Sequence, residues 1–498
     1  MKLFVLDCHR PIHLANIISS GDVLVLDDGY TGKEIPDLEV FQHLAESDAS
    51  DDSDGAEEED TSSEDEDANP RPRQRARGSN GQALPSAGSK KRARRAASKV
   101  LKNYYRSSYF GGASALVALT LSMQLSRSQK RHIWWSIVAL TAHLVGEHID
   151  RHFYGLQRDK VHEHVLLQSD HRSRKSSAIS IAWTDDVKIE PSNDLRFFLH
   201  RHWTLRESML NSPFVASRLQ LWRTTDSKLN WLMAQMGIPS RDASVSYSSM
   251  RQDVRVRLEE RLNEFGATVN LSPEELSFPS FLATFGFNRC YSASDVAYGI
   301  AALLRGGESS HSSPSEKFTL AYDALASMNS TGLVAGFQRA KSLQQSTMQQ
   351  AQEILQAGKY GKSKHFVYIL LGESTADLHL WCQPSNLENL ALFIAAALRE
   401  KNRRQGGERA GSRRRNLGDL PLVMAAANLA EKSHVVVGVN SAADVGVKQK
   451  SSFGLYFRKA AELSRARYRH DRFETSVMEI ESSDVQNFFS ALNESFLS

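Results

Sequence analysis

The sequence predicts an α/β protein with a helical middle region, and three observations carry that reading. The chain opens on "LFVL", four apolar residues rich in strand formers, and the run ends on Asp7, Cys8, His9, Arg10 and Pro11. From residue 361 onward strand-like and helix-like runs alternate, the texture of an α/β domain. Between these ends, residues 191–310 are rich in aromatics and read as helical, while residues 46–98 carry their charge in blocks.

Length and composition set the frame. At 498 residues the chain has room for two or three domains with substantial cores. The formal net charge of +3 says little about partners, because the charges are segregated along the chain. Cys8, Cys290 and Cys382 are far apart and odd in number. That argues against a disulfide framework or a structural zinc site and for a reducing compartment. No apolar run reaches transmembrane length and no basic-then-apolar leader opens the chain, so a soluble intracellular protein with no membrane partner is expected.

Taken in order, "DVLVLDDGY" supplies a second strand ending on Asp27, Asp28 and Gly29. Residues 46–67 then hold 13 acids and no base, and residues 71–102 hold 11 bases and no acid. Such a stretch cannot bury enough apolar surface to offset the entropy of ordering, so about 46–98 is expected to be a disordered insertion. "FGGASALVALTLSMQL" and "IWWSIVALTAHLV" read as core helices. "DLRFFLHRHWTL", "SRLQLWRTTDSKLNWLMAQMG" and "FPSFLATFGF" read as helical, with Trp203, Trp222 and Trp231 as packing residues. A long helix over 334–357 stops at Gly358. Beyond it "HFVYILL", "LHLWC", "LPLVMAA", "HVVVGV" and "ETSVMEI" read as strands, with helices at "LENLALFIAAALREKN", "YFRKAAELSRARY" and the C-terminus.

Several residues could carry chemistry. Asp7 and His9 close a strand where open α/β sheets place ligands, and Asp27 and Asp28 could join them around a metal ion; a purely structural role is the alternative. Arg10 cannot ligate a cation. His148 and His152, four apart, would share a helix face as a zinc pair does, yet no glutamate lies between them, and a solvated helix end accounts for them as well. The glycines of "FGGASAL" could offer backbone amides to an anion. No P-loop lysine or nucleophile elbow appears, and no cofactor is expected. Lys90, Lys91, Arg92, Arg94 and Arg95 form a dense basic cluster fit for a nuclear import receptor or for nucleic acid. Thr61, Ser62 and Ser63 each precede an acid by three residues and are candidate phosphorylation sites. Arg403, Arg404, Arg413, Arg414 and Arg415 lie in what reads as a second basic loop, a candidate DNA contact.

Several stretches together resemble one family. "FVLDCHRP", "IWWSIVALT", "DLRFFLHRHWTLRESM", "SRLQLW", "FGFNRCYSASDV", "LPLVMAA", "FGLYFRKAAE" and "ETSVMEIESSDVQNFFSALNESFLS" are similar, in matching order, to the cell division control protein 45 family. The resemblance implies a DHH-phosphoesterase-like (RecJ-like) domain over 1–190, a helical insert domain over 191–310, connecting helices over 311–360, and a C-terminal DHHA1-like α/β domain over 361–498. It also implies further strand–helix units ahead of the opening strand, so an N-terminally truncated chain is expected. The DHH signature falls on Asp7, Cys8 and His9. Cys8 stands where active relatives carry a histidine, and the Gly-Gly-Gly-His motif of nuclease relatives has no counterpart in "VVVGVN" or its neighbours. Vestigial ligands and a pseudoenzyme without a bound metal are therefore expected. The implied role is a nuclear, non-catalytic scaffold of the replicative helicase, with the minichromosome-maintenance ring, the GINS complex, the leading-strand polymerase and other replisome factors as partners. A single-stranded-DNA binding guard at the fork, or a metal-dependent single-strand exonuclease, are the alternatives.

Overall fold

The computed structural model describes residues 2–18, 21–29, 35–36, 87–173, 187–223, 227–286, 289–305, 313–327, 330–405, 417–440, 450–470 and 473–496. The chain divides into two units. The smaller comprises Met1–Val5, Pro11–Val25 and Thr31–Arg106, and the larger holds the rest.

In the smaller unit β1 (Leu3–Val5) pairs in parallel with the later strand Val23–Val25, Leu3 opposite Val23. The opening strand is thus real, but it is not the buried strand expected: Leu3 is 53% and Phe4 58% exposed. Its ladder among the described residues is a single pair, too small a sheet to cover both faces of a strand. Helix α1 (Ala87–Tyr104) overlaps, up to about residue 98, the stretch expected to be disordered. Its Ala, Lys, Arg and Leu are strong helix formers, and local propensity prevails over charge density there.

In the larger unit β2 (His9–Arg10) pairs antiparallel with Tyr109–Phe110, which leads into α2 (Ser114–Gln124). Helix α3 (Lys130–Val145) buries Ile133, Trp134, Ile137, Val138 and Leu140, as its apolar run predicts. The chain breaks at Gly146 and restarts as α4 (Arg151–Ser173), where Asp150 Oδ1 accepts from the amides of His152 (2.7 Å) and Phe153 (3.0 Å).

Val187–Leu195, Ser277–Phe285 and Arg289–Ser292 form a three-stranded antiparallel sheet. The stretch "FPSFLATF", expected to be helical, is its central strand. The short helices of the insert, from Leu205–Leu210 to Pro273–Leu276, therefore lie between two paired strands of that sheet. Helices α5 (Ala293–Arg305), α6 (Pro314–Ser327) and α7 (Ser330–Ala357) follow, and Gly358 ends α7 at φ +63°.

The C-terminal six-stranded sheet has the order Tyr468–His470, Val477–Glu481, Ser433–Val439, Leu422–Asn428, Val367–Leu371, Gly361–Lys362. Only the pair Leu422–Asn428 with Val367–Leu371 is parallel, and α9 (Pro384–Gln405) makes that crossover. "LHLWC" is not a strand: Leu378–Trp381 is α8, one helical turn. Four residues are too few to show a period, so the β-like composition misleads. Helices α10 (Phe453–Ser464) and α11 (Val485–Ser495) cover the sheet's other face through Phe457 and Phe488.

The core distribution redraws the expected domains. One cluster joins α3, the three-stranded sheet, α5 and the first half of α7 (Leu333, Phe337, Ala340). A second joins the insert helices to α9, the C-terminal sheet and the last turns of α7 (Ala351, Ile354, Leu355). The expected connecting helix thus runs from one core into the other, and the insert shares its core with the C-terminal domain. Of the three tryptophans expected to pack, Trp222 is buried, Trp203 is half-buried outside any helix, and Trp231 is 47% exposed.

Candidate functional site: a cleft beside the first strand ends

Asp7, Cys8 and His9 are brought together, with one ligand-type atom from each lying within 4.8 Å of the others. Their surroundings limit what they can do. Asp7 Oδ1 accepts from the His9 amide (3.2 Å) and lies 2.8 Å from His9 Nδ1. Burial, reinforced by the neighbouring Asp7 carboxylate, pushes the Cys8 thiol up to about 11, so a cation would have to displace its proton. These three donors alone are fewer than a hydrolytic dinuclear site needs.

Asp27 and Asp28 do converge, but on a guanidinium. Arg10, 3% exposed, places Nη2 3.5 Å from Asp27 Oδ1 and 3.5 Å from Asp28 Oδ2. Its Nη1 donates to the carbonyls of Asp7 (2.9 Å) and His9 (3.0 Å). Asp28 Oδ2 also accepts from the Gly112 amide at 2.6 Å. At the glycines that open α2, whose amides could have held an anion, the Gly112 amide serves a side chain of this protein. A Cβ on Gly111 would sit 2.6 Å from that same carboxylate oxygen, which explains the glycine.

Beyond this knot lies an open cleft walled by Tyr109, Phe110 and Phe473, with His9, His148, Glu388 and Glu474 turned into it. The His9 ring lies between Phe110 (4.8 Å between centroids) and Phe473 (4.0 Å), and its Nε2 is 3.8 Å from Glu474 Oε2. Phe110 also meets His148 at 4.3 Å. Burial pushes His148 down to about 3 and His143 to about 4, so both imidazoles are neutral at physiological pH. Glu388 is pushed up to about 7, first by burial and then by Glu474, with Arg305 opposing. Such a cleft can hold and exchange a proton.

His148 and His152 do not share a helix face. His148 lies in the turn after α3 and faces the cleft, while His152 is exposed in the first turn of α4. Arg403 and Arg404 belong to α9 rather than to a loop, because the helix-forming run "LREKNRRQ" carries it to Gln405. Arg403 is exposed, with Nη1 3.8 Å from Glu400. Arg413, Arg414, Arg415, Thr61, Ser62 and Ser63 lie outside the described residues. Lys90, Lys91, Arg92, Arg94 and Arg95 fall within α1.

The cleft's far wall was not read from sequence. The one local signal for Glu388 is that it is a lone acid in the apolar run "LENLALFIAA", and nothing local links it to His9.

A family profile described as CDC45 matches residues 1–495. Cell division control protein 45 homolog of Homo sapiens is 30% identical over 500 residues, covering 98% of this chain and 82% of that protein. The homolog of Schizosaccharomyces pombe is 28% identical over 545 residues, covering 99% and 83%. The crystal structure of CDC45 from Entamoeba histolytica superposes with a TM-score of 0.65 at 18% identity, covering all of this chain and 80% of that one.

Proposed function

The chain belongs to the CDC45 family, whose members are DNA replication initiation factors, and on that premise we propose that it is a non-catalytic scaffold of the nuclear replicative helicase. In this reading it holds the minichromosome-maintenance ring and the GINS complex together and presents surface to the leading-strand polymerase and other replisome factors. Its DHH-like (RecJ-like) opening and DHHA1-like C-terminal domain serve as architecture.

The observation that carries the proposal is Arg10. A hydrolytic dinuclear site needs carboxylates free to bridge cations, and here a permanently charged, buried guanidinium lies within 3.5 Å of both Asp27 and Asp28. The protonated Cys8 thiol and the Asp7–His9 contact support the same reading. Stable assemblies bury about 1,200–2,000 Å² per interface, so binding energy would be spread over many residues.

The test is a pull-down of ring and GINS subunits with the purified chain. Retention of both is expected, and retention of neither overturns the scaffold. A parallel assay for Mn²⁺-dependent release of nucleotides from single strands addresses the exonuclease alternative, which requires activity that Asp7→Ala abolishes. No specific contact in the described residues favours single-strand binding over the scaffold.

A further inference from the structure

We propose that the outward face of α1 (Ala87–Tyr104) is a docking strip for the phosphate backbone of duplex DNA. The inference rests on the charge and geometry of this helix and not on the scaffold reading.

The helix carries Lys90, Lys91, Arg92, Arg94, Arg95, Lys99 and Lys102 and no acid. A helix exposed only to water usually mixes signs, because Glu–Lys pairs three or four residues apart support it while like charges at that spacing weaken it. Seven cations on five turns repel one another unless a polyanion is present. At 3.6 residues per turn, positions 95, 99 and 102 fall on one line. Arg95, Lys99 and Lys102 are exposed, and among the described residues none of the three makes an ion pair.

The opposite face is held down. Ala97, Leu101 and Tyr104 are half-buried, the Tyr104 hydroxyl donates to the Ile12 carbonyl (2.8 Å), and the Tyr105 hydroxyl accepts from the Leu14 amide (2.9 Å). Anchoring the last turn orients the helix within its unit and leaves the basic line outward.

Three features select duplex DNA among polyanions. The charges sit on a rigid rod, with about 10 Å from Arg95 to Lys102 at 1.5 Å per residue, which meets the fixed phosphate rows of a duplex without ordering them. A duplex carries one charge per about 1.7 Å of axis, a density that an acidic peptide seldom sustains. Single-strand sites rely on aromatic stacking platforms, and the one aromatic in α1, Tyr104, is engaged in packing. A membrane surface would call for a free apolar face opposite the charges, and here Ala97, Leu101 and Tyr104 are half-buried against the protein.

The test uses the full chain and a random-sequence duplex, with fluorescence anisotropy measured across a KCl series. Each phosphate neutralised contributes about −0.9 to the slope of log K against log salt, so R95Q/K99Q/K102Q should reduce the slope's magnitude by about 2–3. Glutamine preserves helix propensity, and unchanged circular dichroism checks the fold. The charge-preserving R95K/K99R/K102R should bind as the parent does. An unchanged slope in the glutamine variant overturns the proposal. So does equal competition by polyglutamate at matched charge, which would make the strip a site for acidic protein. Loss of nuclear accumulation with duplex binding intact would make it an import signal and likewise overturn it.

Discussion

Arg10 enters the protein interior as a charge, and Asp28, whose side chain is 4% exposed, enters with it. Breaking a buried pair leaves its partner without compensation, typically about 3–5 kcal/mol of destabilisation. The contacts here are 3.5 Å long and Asp27 is 35% exposed, so Arg10→Met should lower unfolding free energy in urea by about 2–3 kcal/mol. Adding Asp28→Asn should restore much of that loss, since removing both partners spares the penalty. A change below about 0.5 kcal/mol for Arg10→Met would mean that the guanidinium holds nothing in place. The cleft makes a second prediction at this scale. Glu388, raised to about 7, binds a proton in the folded chain that the unfolded chain releases near 4.5. Its stabilisation is complete below that lower value and is lost as pH rises through 7. His148 and His143, lowered to about 3 and 4, act in the opposite sense: their stabilisation is present above 6.5 and is lost as pH falls. Between pH 6.5 and 4.5 the two trends compete, and two imidazoles outweigh one carboxyl. Thermal unfolding over that range should fall more steeply with acid in Glu388→Gln and less steeply in His148→Gln. Parallel curves for wild type and Glu388→Gln would remove Glu388 from the titration.

Helix packing shows where element-scale energetics are concentrated. Helices α5 and α7 cross at Gly299 and Gly336, where a Cβ on Gly336 would lie 2.8 Å from the Gly299 carbonyl oxygen. Gly336→Ala should therefore push backbone against backbone and cost about 1–3 kcal/mol in chemical denaturation. Gly155, inside α4, has nothing within 4 Å of its would-be Cβ, so Gly155→Ala should gain about 0.5–1 kcal/mol from helix propensity. Equal effects at the two sites would show that the crossing is loose. The same contrast between local and distant causes explains what could be read from sequence. Val367–Leu371, Leu422–Asn428 and Ser433–Val439 were legible because buried, β-branched or apolar runs announce themselves locally. Ser277–Phe285 was not, because the partner that makes it a strand is Val187–Leu195, some ninety residues earlier, and its Phe-rich run fits a helix as well. Helix α1 was hidden by its own charge. At the cleft, Asp7 and His9 were legible from strand-end chemistry, whereas Arg10 was dismissed as a non-ligand when its positive charge is what defines the knot.

At the scale of the whole molecule, the telling feature is that the insert has no core of its own. Leu205, Leu229, Leu232, Val254 and Leu262 pack in the same cluster as Trp381, Leu390, Ile394 and Met424, so one apolar body spans the insert and the C-terminal sheet. Polar ties cross the same boundary: Arg218 Nη1 lies 2.9 Å from Glu400 Oε1, and Gln220 Nε2 donates to the Glu400 carbonyl at 3.2 Å. An appendage that only projected toward partners would unfold independently of the domain behind it; a shared core couples them. Ile394 on α9 is fully buried, and its truncation to alanine should cost about 2–5 kcal/mol. If the core is shared, hydrogen exchange in Ile394→Ala should accelerate together in insert peptides near Leu229–Met233 and in the strand Leu422–Asn428. Peptides of α3, in the other cluster, should respond less. Acceleration confined to the C-terminal sheet would make the insert a separate foldon after all. Coupled exchange would mean that a partner binding the insert also stabilises the sheet behind it, so a contact at one surface is felt through a continuous core rather than through a flexible joint.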